Sequence, residues 1–307
     1  MDPHNSQKWS TLVFGRPLAG VGHRALRSLY LSVHCFVLLG LASDPLHARR
    51  SEGLMTIGQL NWNTVNDTVM GGRSSATVTT NELGELIWSG SLSLENNGGF
   101  VSIRNSDNWH DWSAYDGVEV VIAGQGRAIQ VTLQRADRII RAGGYRALVH
   151  TKSAGDTRVF IPFSAFVLKR FGRQIDGPHL NTGLKRVGEL GLLIADKRPG
   201  SFSVTLKQMK PVRRTQRTEV AVDVGPLLVS AIERGVPVFN GGDAKGCAEI
   251  YRKTLKRLVS ALKLGRGTWA EQLAEAALAQ SLAEPPEAAA WTLRRALDSL
   301  LYSLEVR

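Results

Sequence analysis

The stretch Ile129-Gln130-Val131-Thr132-Leu133-Gln134 alternates apolar and polar side chains without a break. Successive side chains of an extended strand point to opposite faces, so this pattern spells a half-buried strand with Ile129, Val131 and Leu133 on one side. Phe202-Ser203-Val204-Thr205-Leu206 repeats it. Shorter runs of the same kind occur at residues 86–94, 100–104, 118–122, 145–149, 159–163 and 190–195. Gly71-Gly72, Asn96-Asn97-Gly98-Gly99, Gly143-Gly144 and Arg198-Pro199-Gly200 stand between the runs, as turns needing a positive or a preset φ require. Eight or so short strands with no long helix among them predict a mainly β chain, a β-sandwich over residues 55–212 and most simply a jelly roll.

The period changes after the basic residues Lys207, Lys210, Arg213, Arg214 and Arg217, which read as a last strand or as a linker at 213–223. Cys247, Tyr251, Leu255, Leu258 and Leu262 fall on one helical face, as do Leu293, Leu297, Leu300, Leu301 and Leu304. Thr268-Trp269-Ala270-Glu271 has the spacing of a capping box at a helix start, and Pro285-Pro286 interrupts the chain before the last helix. Residues 224–307 are therefore expected to form a separate α-helical domain, a small bundle of about four helices.

Residues 1–48 read as a leader. Lys8, Arg16, Arg24 and Arg27 precede the 14-residue apolar run from Leu29 to Ala42, well short of the ~20 residues a spanning helix needs. Ala42 and Ala48 are small residues after which a signal peptidase can cut, so the expectation is a signal peptide and an exported protein, periplasmic or extracellular. A mitochondrial presequence, Arg-rich and acid-poor, is the alternative. After cleavage no membrane span is expected.

The formal charge of +11 is spread as +4 in residues 1–50, +1 in residues 220–307 and +6 between them, with no block of five like charges. A basic nucleic-acid arm is thereby disfavoured, and no nucleic-acid partner is expected. Two cysteines exclude a disulfide-stapled scaffold and a four-thiolate zinc site, and only Cys247 follows the leader. His110, His150 and His179, the histidines beyond the leader, lack metal-ligand spacing. There is no Gly-x-Ser-x-Gly, phosphate-cradling loop or His-Glu-x-x-His. Cys247 on an apolar helical face reads as a buried small side chain. Neither a metal nor another cofactor is expected, and the chain reads as non-enzymatic.

Three segments carry a family resemblance. Residues 62–74, Trp62-Asn63-Thr64-Val65-Asn66-Asp67-Thr68-Val69-Met70-Gly71-Gly72-Arg73-Ser74, resemble the opening signature of the complex I intermediate-associated protein 30 family. Ser93-Leu94-Glu95-Asn96-Asn97-Gly98-Gly99-Phe100-Val101-Ser102-Ile103-Arg104 and residues 191–202, from Gly191-Leu192 through Asp196-Lys197 to Phe202, are similar to two further blocks, with Asp116-Gly117 and Ile161-Pro162-Phe163-Ser164-Ala165-Phe166 between them in order. The resemblance spans about residues 60–209 and implies a galactose-binding-like sandwich. Trp112 stands where Leu is usual and Arg158 where Trp is common, and both departures are expected to repack a surface. The helical tail resembles an extension of some bacterial members through residues 235–240 and 291–298.

The resemblance implies a non-enzymatic binding protein, because eukaryotic members are chaperone-like assembly factors for respiratory complex I. The likeliest contact surface is a turn-rich rim made of Asn66, Asp67, Met70, Gly71, Asn96, Asn97, Asp196 and Lys197, with Arg104 beside it. Two readings stay open. Polar side chains next to glycine backbone allow a partner to approach closely, and the same residues serve as turn caps. Asp196 and Lys197 are open in the same way, as an edge ion pair or as a binding pair. The partner is a protein or a glycan. An exported carbohydrate-binding module is the alternative function, with Trp62, Trp88, Trp109, Trp112 and Tyr115 as aromatic faces for sugar rings.

Overall fold

The computed structural model describes residues 57–105, 109–137, 139–140, 143–213, 224–262 and 268–305. The leader, its cleavage points and the linker beyond Arg213 lie outside the described residues. Twelve strands and four α-helices are described. A seven-stranded sheet has the order β1 (Asn63–Asn66), β4 (Val101–Asn105), β11 (Val187–Ile194), β6 (Ala128–Arg135), β7 (Gly143–His150), β9 (Val167–Arg170), β10 (Arg173–Gln174). A five-stranded sheet has the order β2 (Ser75–Thr80), β3 (Leu86–Leu92), β12 (Gly200–Val212), β5 (Gly117–Ala123), β8 (Thr157–Pro162). Every paired strand is antiparallel. The molecule is a jelly-roll sandwich followed by a small helical bundle.

The alternation seen in the sequence decides which face is inside. Ile103, Leu192, Val131 and Ala147 are register partners across four strands, and all are buried. From the other sheet Trp88, Val120, Ile161 and Val204 meet them in one continuous core. Four strands, β1, β2, β9 and β10, escaped the sequence reading. β1, β2 and β10 are edge strands, where one face or both remain open and alternation is not required, whereas β9 is a four-residue strand with Val167 and Leu168 buried on opposite faces, too short to show a period. Trp112 does not repack a surface: it is buried, stacked between His110 at 6.3 Å and Phe163 at 6.0 Å. Arg158 is exposed and pairs with Glu119 at 3.0 Å. Lys207 and Lys210 lie on β12 and face Asp156, Glu85 and Glu119, so the basic stretch begins inside the sandwich with its charge balanced.

The helices are α1 (Gly225–Asn240), α2 (Ala244–Leu262), α3 (Trp269–Leu282) and α4 (Pro286–Glu305). Cys247, Tyr251, Leu255 and Leu258 are buried on one face of α2, while the side chain of Leu262 lies outside the described set. Thr268 caps α3, its hydroxyl accepting the Glu271 amide at 3.2 Å. The Tyr251 ring packs over Gly235, where a Cβ would come within 2.3 Å of it. Phe239 and Trp291, from the two tail segments, meet edge to face at 5.6 Å.

Bundle and sandwich share one core. α3 and α4 lie against the outer side of β7, the side opposite the interior. Trp269 donates its indole N–H to the Leu148 carbonyl at 3.1 Å. His150 Nδ1 meets Gln280 Oε1 at 2.7 Å, and His179 Nδ1 meets the Tyr302 hydroxyl at 3.0 Å. No helix among the described residues is long and apolar enough to cross a membrane.

Candidate functional site

The residues singled out at the rim gather at one end of the sandwich. Asn66 ends β1 opposite Val101, and Ile194 ends β11 opposite the same residue, so the loops after Asn66, before Val101 and after Ile194 are neighbours. Asn96 Nδ2 donates to the Gly71 carbonyl at 3.2 Å, joining the first two loops. Arg104 lies three residues further along β4, away from this end, and pairs with Glu189 at 3.3 Å.

Asp67 organises the rim. It is fully buried, and its carboxylate accepts the Ser74 amide at 2.8 Å, the Ser74 hydroxyl at 2.6 Å, the Gly99 amide at 2.7 Å and the Phe100 amide at 3.4 Å. Burial works to raise its pKa, but the bonds from Ser74, Gly99 and Phe100 outweigh it and hold the carboxyl below its ordinary value. The glycines are explained by the same carboxylate. A Cβ on Gly72 would lie 2.4 Å from the Asp67 carboxyl carbon, and one on Gly98 would lie 2.6 Å from Oδ2. Gly71 (φ 88°) and Gly99 (φ 122°) take backbone conformations that side chains disfavour. The group that approaches these two Gly-Gly pairs is therefore the chain's own Asp67. Asn66 makes no cap, and its buried Oδ1 has no partner among the described residues. Asn96 and Asn97 are exposed, with φ of 52° and 59°.

Asp196 works in a similar way. Its carboxylate pairs with the Arg127 guanidinium at 2.9 Å in a site from which both side chains are almost excluded from water, and it accepts the Arg198 amide at 3.1 Å. Arg127 also donates to the carbonyls of Arg198, Gly200 and Ser201, so one ion pair ties the β11–β12 connection to β6. Lys197 is exposed with φ 59° and takes no part in that pair.

Besides the polar Asn96, Asn97 and Lys197, the rim presents apolar side chains to solvent. Val69 and Met70, on the short turn that Asp67 begins, are 71% and 60% exposed, and Leu94 on the neighbouring loop is 43% exposed. The sequence reading included Met70 and missed Val69 and Leu94, because a Val in a turn signature carries no mark of its exposure. Of the five aromatic residues named for sugar stacking, Trp88 and Trp112 are buried, while Trp62, Trp109 and Tyr115 are half-buried. Cys247 is a buried free thiol, its pKa raised first by burial. Among the described residues no group of His, Cys, Asp or Glu is placed to hold a metal ion.

The fold is a two-sheet sandwich of the galactose-binding-like kind, with rim loops held from within by the buried carboxylates of Asp67 and Asp196. Residues 55–206 match the family model of complex I intermediate-associated protein 30, and through this sandwich the chain belongs to that family. No curated protein matches the chain significantly. Solved structures similar in fold include the family 11 carbohydrate-binding module of the cellulosomal cellulase Lic26A-Cel5E of Clostridium thermocellum, 16% identical over 52% of this chain and 91% of that one, with a TM-score of 0.38. A family 30 carbohydrate-binding module is 16% identical over 47% of this chain and 83% of that one, with a TM-score of 0.32. An exo-β-agarase is 10% identical over 58% of this chain and 29% of its own, with a TM-score of 0.34.

Proposed function

We propose that the protein is a non-enzymatic binding protein that contacts a protein partner through the loop end of its sandwich, in the manner of an assembly or chaperone-like factor. The observation that carries this reading is the exposed Val69-Met70 pair on a turn held rigid by the buried Asp67. Apolar side chains fixed in water on a stiff support gain free energy when a partner covers them and lose little conformational freedom in doing so. Leu94 extends the patch, and the exposed Arg73–Glu95 ion pair beside it, at 2.7 Å, supplies a polar border. The family description, which names association with an assembly intermediate, supports the same class of function. A protein surface suits an apolar tip better than a sugar does, since sugar rings call for flat aromatic faces and the patch has none.

The test is capture by a tagged full-length chain from its own cells, comparing wild type with the Val69→Asp, Met70→Asp double variant. Because both side chains are exposed, the thermal midpoint should stay within about 2 °C. A specific co-purifying protein should be lost. Undiminished recovery of that protein by the folded variant would refute the assignment of this surface.

A further inference from the structure

Across the outer face of the seven-stranded sheet runs a row of register partners: Arg104 on β4, Gly191 on β11, Thr132 on β6 and Arg146 on β7. Alternation turns this row away from the core that Ile103, Leu192, Val131 and Ala147 fill. Arg104, Thr132, Arg146 and Glu189 line an enclosure of about 10 Å³ there, room for one water-sized group or one oxygen of an anion. Gly191, between Arg104 and Thr132 in the row, leaves no room for a side chain: a Cβ would lie 2.4 Å from Thr132 Oγ1 and 2.7 Å from the Ile103 carbonyl oxygen.

The charges around the enclosure do not balance. Glu189 is the one carboxylate lining it, and Arg104 already holds that group at 3.3 Å. The Arg146 side chain makes no hydrogen bond or ion pair with any described residue, and neither does that of Lys169, a residue paired in register with Gly144 on the same face. Burial pushes the Arg146 guanidinium down to about 10, with the charge of Arg104 adding to the effect. Burial also lowers Lys169, with Arg146 and Arg295 adding and Asp298 opposing. Asp298 is itself tied to Arg294 at 2.8 Å. Desolvated cations beside one another are unfavourable in the free protein, and a guanidinium is the side chain best shaped to grip an oxyanion.

We propose that this row is a binding site for an oxyanion group of a small ligand, a carboxylate or a phosphate, gripped by Arg146 and Arg104 with the Thr132 hydroxyl as a neutral donor. The site lies on the sheet face, apart from the loop end, and does not depend on the protein-binding reading.

Thermal midpoints of the full chain test it, measured with sodium phosphate, sodium galacturonate and neutral galactose against sodium chloride at equal ionic strength. Binding raises the midpoint by roughly 3–5 °C at tenfold excess over half-saturation. Phosphate or galacturonate should give a saturable rise that chloride and galactose do not. Arg146→Met should abolish it and, having removed an uncompensated charge, should melt no lower than wild type without added anion. Arg104→Gln should weaken the same response and serves if the first variant folds poorly. A rise with galacturonate alone identifies a sugar acid as the source of the anion, and a rise with both identifies a site that also takes the free ion. No rise beyond chloride, an equal rise with galactose, or an undiminished rise in Arg146→Met would overturn the proposal.

Discussion

Acidification should loosen the seam between bundle and sandwich through one histidine. His150 lies on the outer side of β7 under α3 and α4. If its Nδ1–H donates to Gln280 Oε1 at 2.7 Å, the Gln280 amide donates in turn to Glu284 at 2.7 Å, which holds the acceptor oxygen toward the ring. Nε2 is then the site a second proton must occupy, and it is buried with no partner among the described residues. Burial first, and the charge of Arg295 on α4 second, outweigh the bond to Gln280 and push the pKa from 6.5 to about 4. A depressed histidine pKa means that the unfolded chain binds the proton more readily than the folded one. The stability linked to His150 is therefore fully present above pH 6.5 and drains away as pH falls toward 4. One pKa unit corresponds to about 1.4 kcal/mol, so the loss between about pH 7 and pH 4.5 is roughly 2 kcal/mol. His110, held low by burial, adds a loss of the same sign, whereas the stability linked to the lowered pKa of Asp67 is present above its ordinary value of 3.8 and is lost as pH falls below it. Urea midpoints of wild type and His150→Gln at the two pH values separate these contributions. Wild type should lose about 2 kcal/mol more than the variant. Equal losses in both would show that His150 is not a buried neutral ring and would refute the reasoning.

Asp67→Ala should destabilise by about 4 kcal/mol, roughly 10 °C in thermal midpoint, because it strands the buried amide of Ser74 and the half-buried amide of Gly99. Asn66→Ala should change stability by less than about 1 kcal/mol, since the oxygen it removes has no partner among the described residues; similar midpoints for the two variants would show that Asp67 does not hold the rim. A specific protease site engineered between residues 214 and 223 should, once cut, leave two fragments that elute together in native gel filtration. Trp269, His150 and Tyr302 join them across a shared core, and separate elution would show that the seam is too weak to hold the bundle in place.

The period of the hydrophobic pattern determined the architecture. Two-residue alternation in 129–134 and 202–206 permits only a strand with one buried face, and the helical spacing of Cys247, Tyr251, Leu255 and Leu258 permits only a helix with one buried stripe. Such patterns are local, so they can be read without knowing what each face meets. The polar edge strands β1, β2 and β10 were not legible, since an edge can be satisfied by solvent, and β9 was not because four residues with both faces buried show no alternation. Strand order was not legible either: β4 pairs with β11 across about ninety residues, and no local signal encodes that meeting.

At the rim the sequence marked the right segments and left their roles open, because a carboxylate that caps a loop from within and one that greets a partner are spelled alike. Only the tertiary structure placed Asp67 between Gly72 and Gly98, buried Asp196 on Arg127, and left Val69 and Met70 in water. The Arg104–Arg146 row was invisible for a related reason. Its members are 42 residues apart in the chain and become neighbours in charge only when β4, β11, β6 and β7 are laid in register on one face.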